Sequence, residues 1–138
     1  MSIVIVTGSG GLIGAEAVKF FSDKFDTIIG IDNDWRQYFF GKSASVKQNI
    51  NILKKEINNY KHQYFDIRNK KKIERIFKKY RKNIKFILHN AAQPSHDWAA
   101  KEPFTDFSIN ALGTLNILEC TRKYSPNAKL AHMSTNKV

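Results

Sequence analysis

Three glycines, Gly8, Gly11 and Gly14, follow the apolar run Ile3–Val6 and precede a segment of helical period. One glycine permits a tight turn, a second lets the backbone approach a pyrophosphate, and a third lets the helix pack closely on the strand. The free N–H groups and positive dipole end of that helix would then face the phosphates. No Lys-Ser/Thr pair follows, so the spacing predicts a dinucleotide site rather than a triphosphate site.

Acidic residues follow the next apolar run, Thr27–Ile31, at the distance expected for ribose recognition. A carboxylate at Asp32 can accept hydrogen bonds from an adenosine ribose and would repel a 2′-phosphate, which favours NAD over NADP. Arg36 argues the other way, because a nearby arginine can serve a 2′-phosphate. The alternative is that residues 32–34 form only a polar turn.

Two further apolar runs end in residues suited to a nucleotide. Asp66 could receive the adenine amino group, or it could begin the next helix. Ala91 and Ala92 would let the backbone run beneath a flat ligand, with a tight packing site as the alternative. Asn110 lies in an apolar helical segment, where its amide needs partners, so it either holds the backbone after the fourth strand or is exposed.

Polar residues after the fourth and fifth strands are the candidates for substrate contact. The stretch Pro94–Trp98 is predicted to be a loop on the ligand side of the sheet. Adjacent side chains rarely point the right way for a catalytic dyad, so the neighbours His96 and Asp97 are not assigned one. A hydroxyl at the end of the fifth strand could hydrogen-bond a substrate hydroxyl undergoing oxidation. The residues assigned to substrate contact are Ser95, His96, Trp98, Thr135 and Asn136.

Five short β-branched runs alternate with four segments of helical period. The predicted strands are Ile3–Val6, Thr27–Ile31, His62–Phe65, Phe86–His89 and Leu130–Ser134. The predicted helices run from Leu12 to about Lys24, through Val46–Ile57, through a lysine-rich stretch around Ile73–Tyr80, and from Pro103 to about Lys123. This alternation predicts an α/β fold, a doubly wound parallel sheet in the order 3-2-1-4-5 with helices on both faces. A ligand would bind at the carboxyl ends of the strands.

Length and charge limit the classes of protein. The chain has 138 residues, which suits one domain over residues 1–138. Its net charge is +11, but ten Lys/Arg residues fall between positions 68 and 85, opposite an apolar face at helical spacing. We therefore expect a solvated helix face and no nucleic-acid partner. The single Cys120 cannot form an internal disulfide, and neither a signal peptide nor a membrane span is recognisable. We expect a cytoplasmic protein without a metal site.

These motifs together resemble the extended short-chain dehydrogenase/reductase family, which includes nucleotide-sugar epimerases and dehydratases. The matching segments are Thr7–Gly14, Asp32, Asp66–Arg68, Asn90–Ala92, Asn110–Thr114 and Ser134–Val138, and they occur in the order of the family. The stretches Gln93–Trp98 and Ser134–Val138 are most similar to CDP-tyvelose (CDP-paratose) 2-epimerases.

The resemblance implies that NAD takes a hydride from a sugar carbon and returns it to the opposite face, with a nucleotide sugar, preferably a CDP-sugar, as substrate. It implies that Thr135 contacts the reacting sugar oxygen as the catalytic hydroxyl. It also implies that Asp32 and Asn33 contact the adenosine ribose. The residues assigned to the cofactor are Gly8, Gly11, Leu12, Ile13, Gly14, Asp32, Asn33, Arg36, Asp66, Ile67, Ala91, Ala92, Gln93 and Asn110.

One feature of the family is missing from this sequence. The family's acid/base tyrosine, followed four residues later by lysine, comes after the fifth strand, whereas Tyr60 and Tyr80 precede the fourth. We therefore expect the cofactor half of an epimerase, which binds NAD and does not epimerise alone. A stand-alone nucleotide-binding or regulatory module is the alternative. Apolar surface along the fifth strand predicts self-association as a homo-oligomer.

Overall fold

The computed structural model describes residues 1–134. Its strands are β1 (Ile3–Thr7), β2 (Thr27–Ile31), β3 (Tyr60–Gln63), β4 (Ile84–His89) and β5 (Lys129–His132). They form one parallel sheet in the order β3-β2-β1-β4-β5, which confirms the predicted fold class and strand order. Because β1 is central, its five residues are all buried, and it shows no polar alternation.

Helices connect the strands. The α-helices are α1 (Leu12–Phe21), α2 (Arg36–Phe40), α3 (Lys47–Glu56), α4 (Lys70–Tyr80), α5 (His96–Lys101), α6 (Pro103–Phe107) and α7 (Thr114–Tyr124). Short 3₁₀ turns occupy Lys42–Ala44 and Arg81–Asn83. The π-helical segment Ser108–Gly113 joins α6 to α7. The single helix predicted from Pro103 is thus a continuous run with a wider turn in its middle.

Two apolar cores cover the two faces of the sheet. One core contains Val4, Val6, Ala15, Val18, Ile28 and Leu53, from β1, β2, α1 and α3. The other contains Ile3, Ile5, Ile29, Ile31, Ile73, Phe77, Ile87 and Ile117, from β1, β2, β4, α4 and α7. The lysines of α4 are exposed opposite its buried face, as the sequence predicts. Within residues 1–134, no helix is long and apolar enough to cross a bilayer.

Several boundaries differ from the prediction. The third strand begins at Tyr60, not His62, because Tyr60 pairs with Ile28 and its ring packs beside Gly30. Residues 61–63 of β3 are all polar, so this strand shows no alternation of apolar and polar residues in the sequence. The helices α2 and α5 were not expected; they are too short to show a helical repeat. The prediction of a loop over Pro94–Trp98 was therefore wrong from His96 onward.

Candidate functional site

A crevice of about 1230 Å³ lies at the carboxyl edge of the sheet. All residues assigned to the cofactor line it, as do Ser95 and His96, whereas Trp98 does not. The strand order explains this gathering, because the connections after β1 and β4 leave in opposite directions. Thr135 and Asn136 lie outside the described residues.

The glycine turn has the backbone that its spacing predicts. Gly8 has a φ of +66°, and a Cβ there would lie 3.0 Å from the amide nitrogen of Ala91. A Cβ at Gly14 would lie 2.0 Å from the carbonyl oxygen of Gly8, so this residue provides the close approach of α1 to the turn. Gly11 is the N-cap residue of α1, and no side-chain hydrogen bond caps this helix end. The first amides of α1 therefore face the crevice, where they can receive an anion.

Asp32 directly follows β2, and its side chain holds the glycine turn through hydrogen bonds. Its Oδ2 accepts a hydrogen bond from the Gly10 amide at 3.0 Å, and its Oδ1 accepts one from the Asp34 amide at 2.8 Å. Burial raises the pKa of Asp32, and the two amides counteract that effect. Each carboxylate oxygen keeps a second lone pair, so hydroxyl donors can still be received here.

Asn33 and Asp66 bridge the ends of β2 and β3. Asn33 Nδ2 donates to Asp66 Oδ2 at 2.9 Å, and Arg68 donates to both oxygens of Asp66 from its Nε and Nη2. Asp66 does not cap α4, because Asn69 does so by accepting from the Lys72 amide at 3.1 Å. The structure thereby removes one of the two alternatives for Asp66 and leaves adenine contact as a prediction.

Arg36 and Ile67 both line the crevice. Arg36 begins α2, and its guanidinium lies 5.0 Å from the centre of the Phe40 ring. Ile67 is 4 % exposed and packs so closely on Gly113 that a Cβ there would lie 2.6 Å from its Cδ1. Ile67 thus offers an apolar surface, and contact of Arg36 with a 2′-phosphate stays a prediction.

The backbone after β4 is held by Thr7. Its Oγ1 accepts hydrogen bonds from the amides of Asn90 and Ala91 at 3.1 and 3.0 Å. Ala91 packs against Gly8, so the turns after β1 and β4 touch. Close backbone packing is therefore present at Ala91, and contact of Ala91 and Ala92 with a cofactor stays a prediction.

His89 belongs to a buried hydrogen-bond network that the sequence did not reveal. Thr7 Oγ1 already accepts two amides, so its proton goes to His89 Nδ1 at 2.6 Å. Thr114 donates its own proton to the carbonyl of Asn110 at 2.6 Å, so His89 Nε2 donates to Thr114 Oγ1 at 2.9 Å. The network thus requires neutral His89 with its proton on Nε2. Burial, followed by the nearby His132, lowers the pKa of His89 to about 4.

The side chain of Asn110 bonds to the backbone of Gln93. The backbone amide of Gln93 donates to Asn110 Oδ1 at 2.8 Å, and Asn110 Nδ2 donates to the backbone carbonyl of Gln93 at 3.0 Å. Asp106 accepts from the side chains of both. Of the two alternatives for Asn110, the structure shows the first, in which it holds the backbone after the fourth strand.

Ser95 and Trp98 have structural partners. Ser95 caps α5 by accepting from the Trp98 amide at 3.3 Å. The Trp98 indole donates to the carbonyl of Phe39 at 2.7 Å and its ring packs beside Tyr38. Trp98 therefore joins α5 to α2, two helices that contribute residues to the crevice, and substrate contact through Trp98 stays a prediction.

Tyr38 and Lys42 have the four-residue spacing of the family's acid/base pair, which the sequence analysis missed. They follow β2, and the Tyr38 hydroxyl donates to Glu102 Oε1 at 2.7 Å. This bond raises the pKa of Tyr38, which is opposite to what a tyrosine base requires. The spacing is therefore no evidence for a catalytic pair.

Sequence reasoning also missed the part of the crevice that segment 43–46 and Asn49 form. Asn49 Nδ2 donates to the Gly10 carbonyl at 3.0 Å. No local signal marked this segment, because its position follows from α2, which was not predicted. Among residues 1–134, no group of three or more His, Cys, Asp or Glu side chains is arranged to hold a metal ion.

Comparisons with known proteins agree with this geometry. Residues 5–138 match the protein family described as GDP-mannose 4,6 dehydratase. The CDP-paratose 2-epimerase of Salmonella typhi is 32 % identical over 135 residues, which cover 98 % of this chain and 37 % of the relative. The chain thus spans little more than a third of that relative's length.

Two solved structures have the same fold and a similar sequence. UDP-glucose 4-epimerase of Thermotoga maritima, solved with UDP-glucose, has a TM-score of 0.76 and 28 % identity, covering 96 % of this chain and 38 % of that one. UDP-glucose 4-epimerase of Thermus thermophilus, solved with NAD, has a TM-score of 0.71 and 28 % identity, covering 93 % of this chain and 36 % of that one.

Proposed function

The chain belongs to the GDP-mannose 4,6 dehydratase family, and from that premise we propose that it is the NAD-binding part of an enzyme acting on a nucleotide-linked sugar. The observation that carries the proposal is the glycine turn. It places the uncapped start of α1 and the carboxylate of Asp32 on one crevice. An anion-binding helix end beside a ribose-binding carboxylate fits the two halves of an adenine dinucleotide.

The protein groups each have a defined task in this proposal. The amides at the start of α1 bind the pyrophosphate, and Gly11 leaves them accessible because it has no Cβ. Asp32 accepts the ribose hydroxyls and opposes a 2′-phosphate, so NAD is bound in preference to NADP. Asp66 and Ile67 contact the adenine, one by hydrogen bonding and the other by its apolar surface. Bound NAD would supply the acceptor, and then the donor, of the hydride that a sugar carbon loses and regains.

For the enzyme as a whole, we propose an epimerase or dehydratase of nucleotide sugars. The likeness to CDP-paratose 2-epimerase supports a CDP-sugar as substrate. In this proposal Thr135 contacts the reacting sugar oxygen, while Ser95, His96 and Asn136 contact substrate. We further propose that this 138-residue chain binds NAD without epimerising a sugar, that it works in the cytoplasm and that it self-associates. Turnover of a CDP-sugar by the purified chain would contradict the first of these statements.

Calorimetric titration of the chain with NAD and NADP tests the proposal. We expect NAD to bind more tightly, and Asp32→Ala to weaken NAD binding about tenfold because a hydrogen-bonded charged group is lost. The preference for NAD over NADP should shrink in the same variant. Asp23→Ala, which removes an exposed carboxylate paired with Lys24 beyond the end of α1, is the matched control and should leave both affinities unchanged. Absence of NAD binding by the wild-type chain would refute the proposal.

A further inference from the structure

Asp34 is a buried carboxylate in an unusual backbone conformation. Its side chain is 0 % exposed, and its φ of +58° lies in the left-handed region. Both features cost free energy, since burial removes the carboxylate from water and a Cβ disfavours positive φ. A residue of this kind persists only where surrounding groups compensate it.

Hydrogen-bond donors surround the Asp34 carboxylate. Its Oδ1 accepts from the Val46 amide at 2.7 Å. Its Oδ2 accepts from Ser45 Oγ at 2.7 Å and from Gln37 Nε2 at 2.8 Å. The ammonium group of Lys47 lies 4.0 Å from Oδ2 at the exposed rim. Asp34 therefore closes segment 35–46 into a loop tied at both ends.

Val46, at the C-terminal end of that loop, packs against the glycine turn. A Cβ at Gly10 would lie 2.7 Å from Cγ2 of Val46, so the two residues are in close contact. Gly10 is also bonded through its amide to Asp32 and through its carbonyl to Asn49. Gly10 is thus held by Asp32, which follows β2, and by Asn49 near the start of α3. Asp34 links these two parts of the chain, because it follows β2 and accepts a hydrogen bond from Val46 just before α3.

We propose that Asp34 is a positioning residue of the crevice: its carboxylate holds Val46 against Gly10 and so sets the affinity for the adenosine–pyrophosphate half of a dinucleotide. This inference rests on the proposed function. It concerns no contact between Asp34 and the ligand. Segment 35–46 supplies one wall of the crevice, and release of Val46 would loosen both that wall and the turn that receives the phosphates.

Three substitutions separate the carboxylate from the backbone strain. Asp34→Ala removes every bond and keeps the strain. Asp34→Gly removes the bonds and relieves the strain, because glycine adopts positive φ freely. Asp34→Asn tolerates positive φ and retains one acceptor for the Val46 amide. Asp26→Asn is the matched control, because Asp26 also accepts a backbone amide, that of Ser2, but at the opposite edge of the sheet.

Two measurements on the full chain test the proposal, both well below the unfolding temperature. Hydrogen exchange of the Val46 amide reports the clamp without ligand, and titration with ADP reports affinity for the adenosine–pyrophosphate half. We expect Asp34→Ala and Asp34→Gly to speed exchange and weaken ADP binding, each by about tenfold, with Asp34→Asn in between. A purely structural role would lower stability and leave ADP affinity unchanged, as Asp26→Asn should.

The outcomes distinguish this inference from the proposed function. If the wild-type chain binds ADP and NAD but the Asp34 variants bind them equally well, the positioning role is wrong and the proposed function stands. If the wild type binds neither, the proposed function fails and the inference fails with it. Should the alanine and glycine variants not fold, Gln37→Ala and Ser45→Ala each remove one bond to the carboxylate. ADP affinity unchanged in both would then overturn the proposal.

Discussion

Lowering the pH from 7 to 5 should destabilise this chain through His89. The imidazole is 1 % exposed and is fixed in its neutral form by Thr7 on one nitrogen and Thr114 on the other. A second proton on Nδ1 would face the proton of Thr7 in a buried site. Protonation therefore breaks the link between the ends of β1 and β4 that also places Asn90 and Ala91.

The size of the effect follows from the two pKa values. Folding lowers the pKa of His89 from 6.5 to about 4, so the unfolded chain binds more protons between these values and stability falls as the pH falls. The contribution amounts to about 3 kcal/mol above about pH 6.5, and it is lost as the pH falls to about 4. Between pH 7 and pH 5 the expected loss is about 2 kcal/mol.

Urea unfolding followed by circular dichroism at the two pH values measures this loss. His89→Gln is the reference, because the glutamine side chain has an NH₂ donor group and a carbonyl acceptor and does not titrate. Other groups also shift with pH: His62 has a lowered pKa and Asp32 a raised one, both through burial. These effects are shared by both proteins, so the difference between wild type and variant isolates His89.

The result that would refute this reasoning is a parallel pH dependence. If wild type and His89→Gln lose the same free energy of unfolding between pH 7 and pH 5, His89 does not gain a proton on unfolding. The deduced network would then be incorrect, and the Thr7 proton would have to point elsewhere.

Two further substitutions test the packing around the crevice. Gly14→Ala should destabilise the fold by more than about 3 kcal/mol in urea unfolding, because its Cβ would lie 2.0 Å from the Gly8 carbonyl oxygen. Gly11→Ala, whose Cβ would lie 3.4 Å from the same oxygen, is the control and should retain most of the stability. Trp98→Phe should cost about 1–2 kcal/mol, because it leaves the buried carbonyl of Phe39 without the indole donor. An unchanged urea midpoint in that variant would show that α2 and α5 are joined by ring packing alone.

Much of the fold follows from patterns short enough to read along the chain. The run Thr27–Ile31 is buried along its whole length and contains no charged residue, so its predicted bounds are those of β2. The face of α4 shows as a repeat of Ile73, Ile76 and Phe77. The third strand was predicted at His62–Phe65 with the wrong bounds, because residues 61–63 are polar and only the pairing with β2 defines where the strand begins and ends.

The sequence by itself determined the order of the strands and the place of the glycine turn, since both depend on local period and on the handedness of βαβ units. It therefore also determined which residues would gather at one edge. Only the tertiary structure decided how their polar groups are used. His89 meets Thr7 across 82 residues, and Trp98 meets Phe39 across 59. Such partners depend on how distant segments pack, so Asp34 is recognisable as a clamp only once Val46 has come to lie beside it.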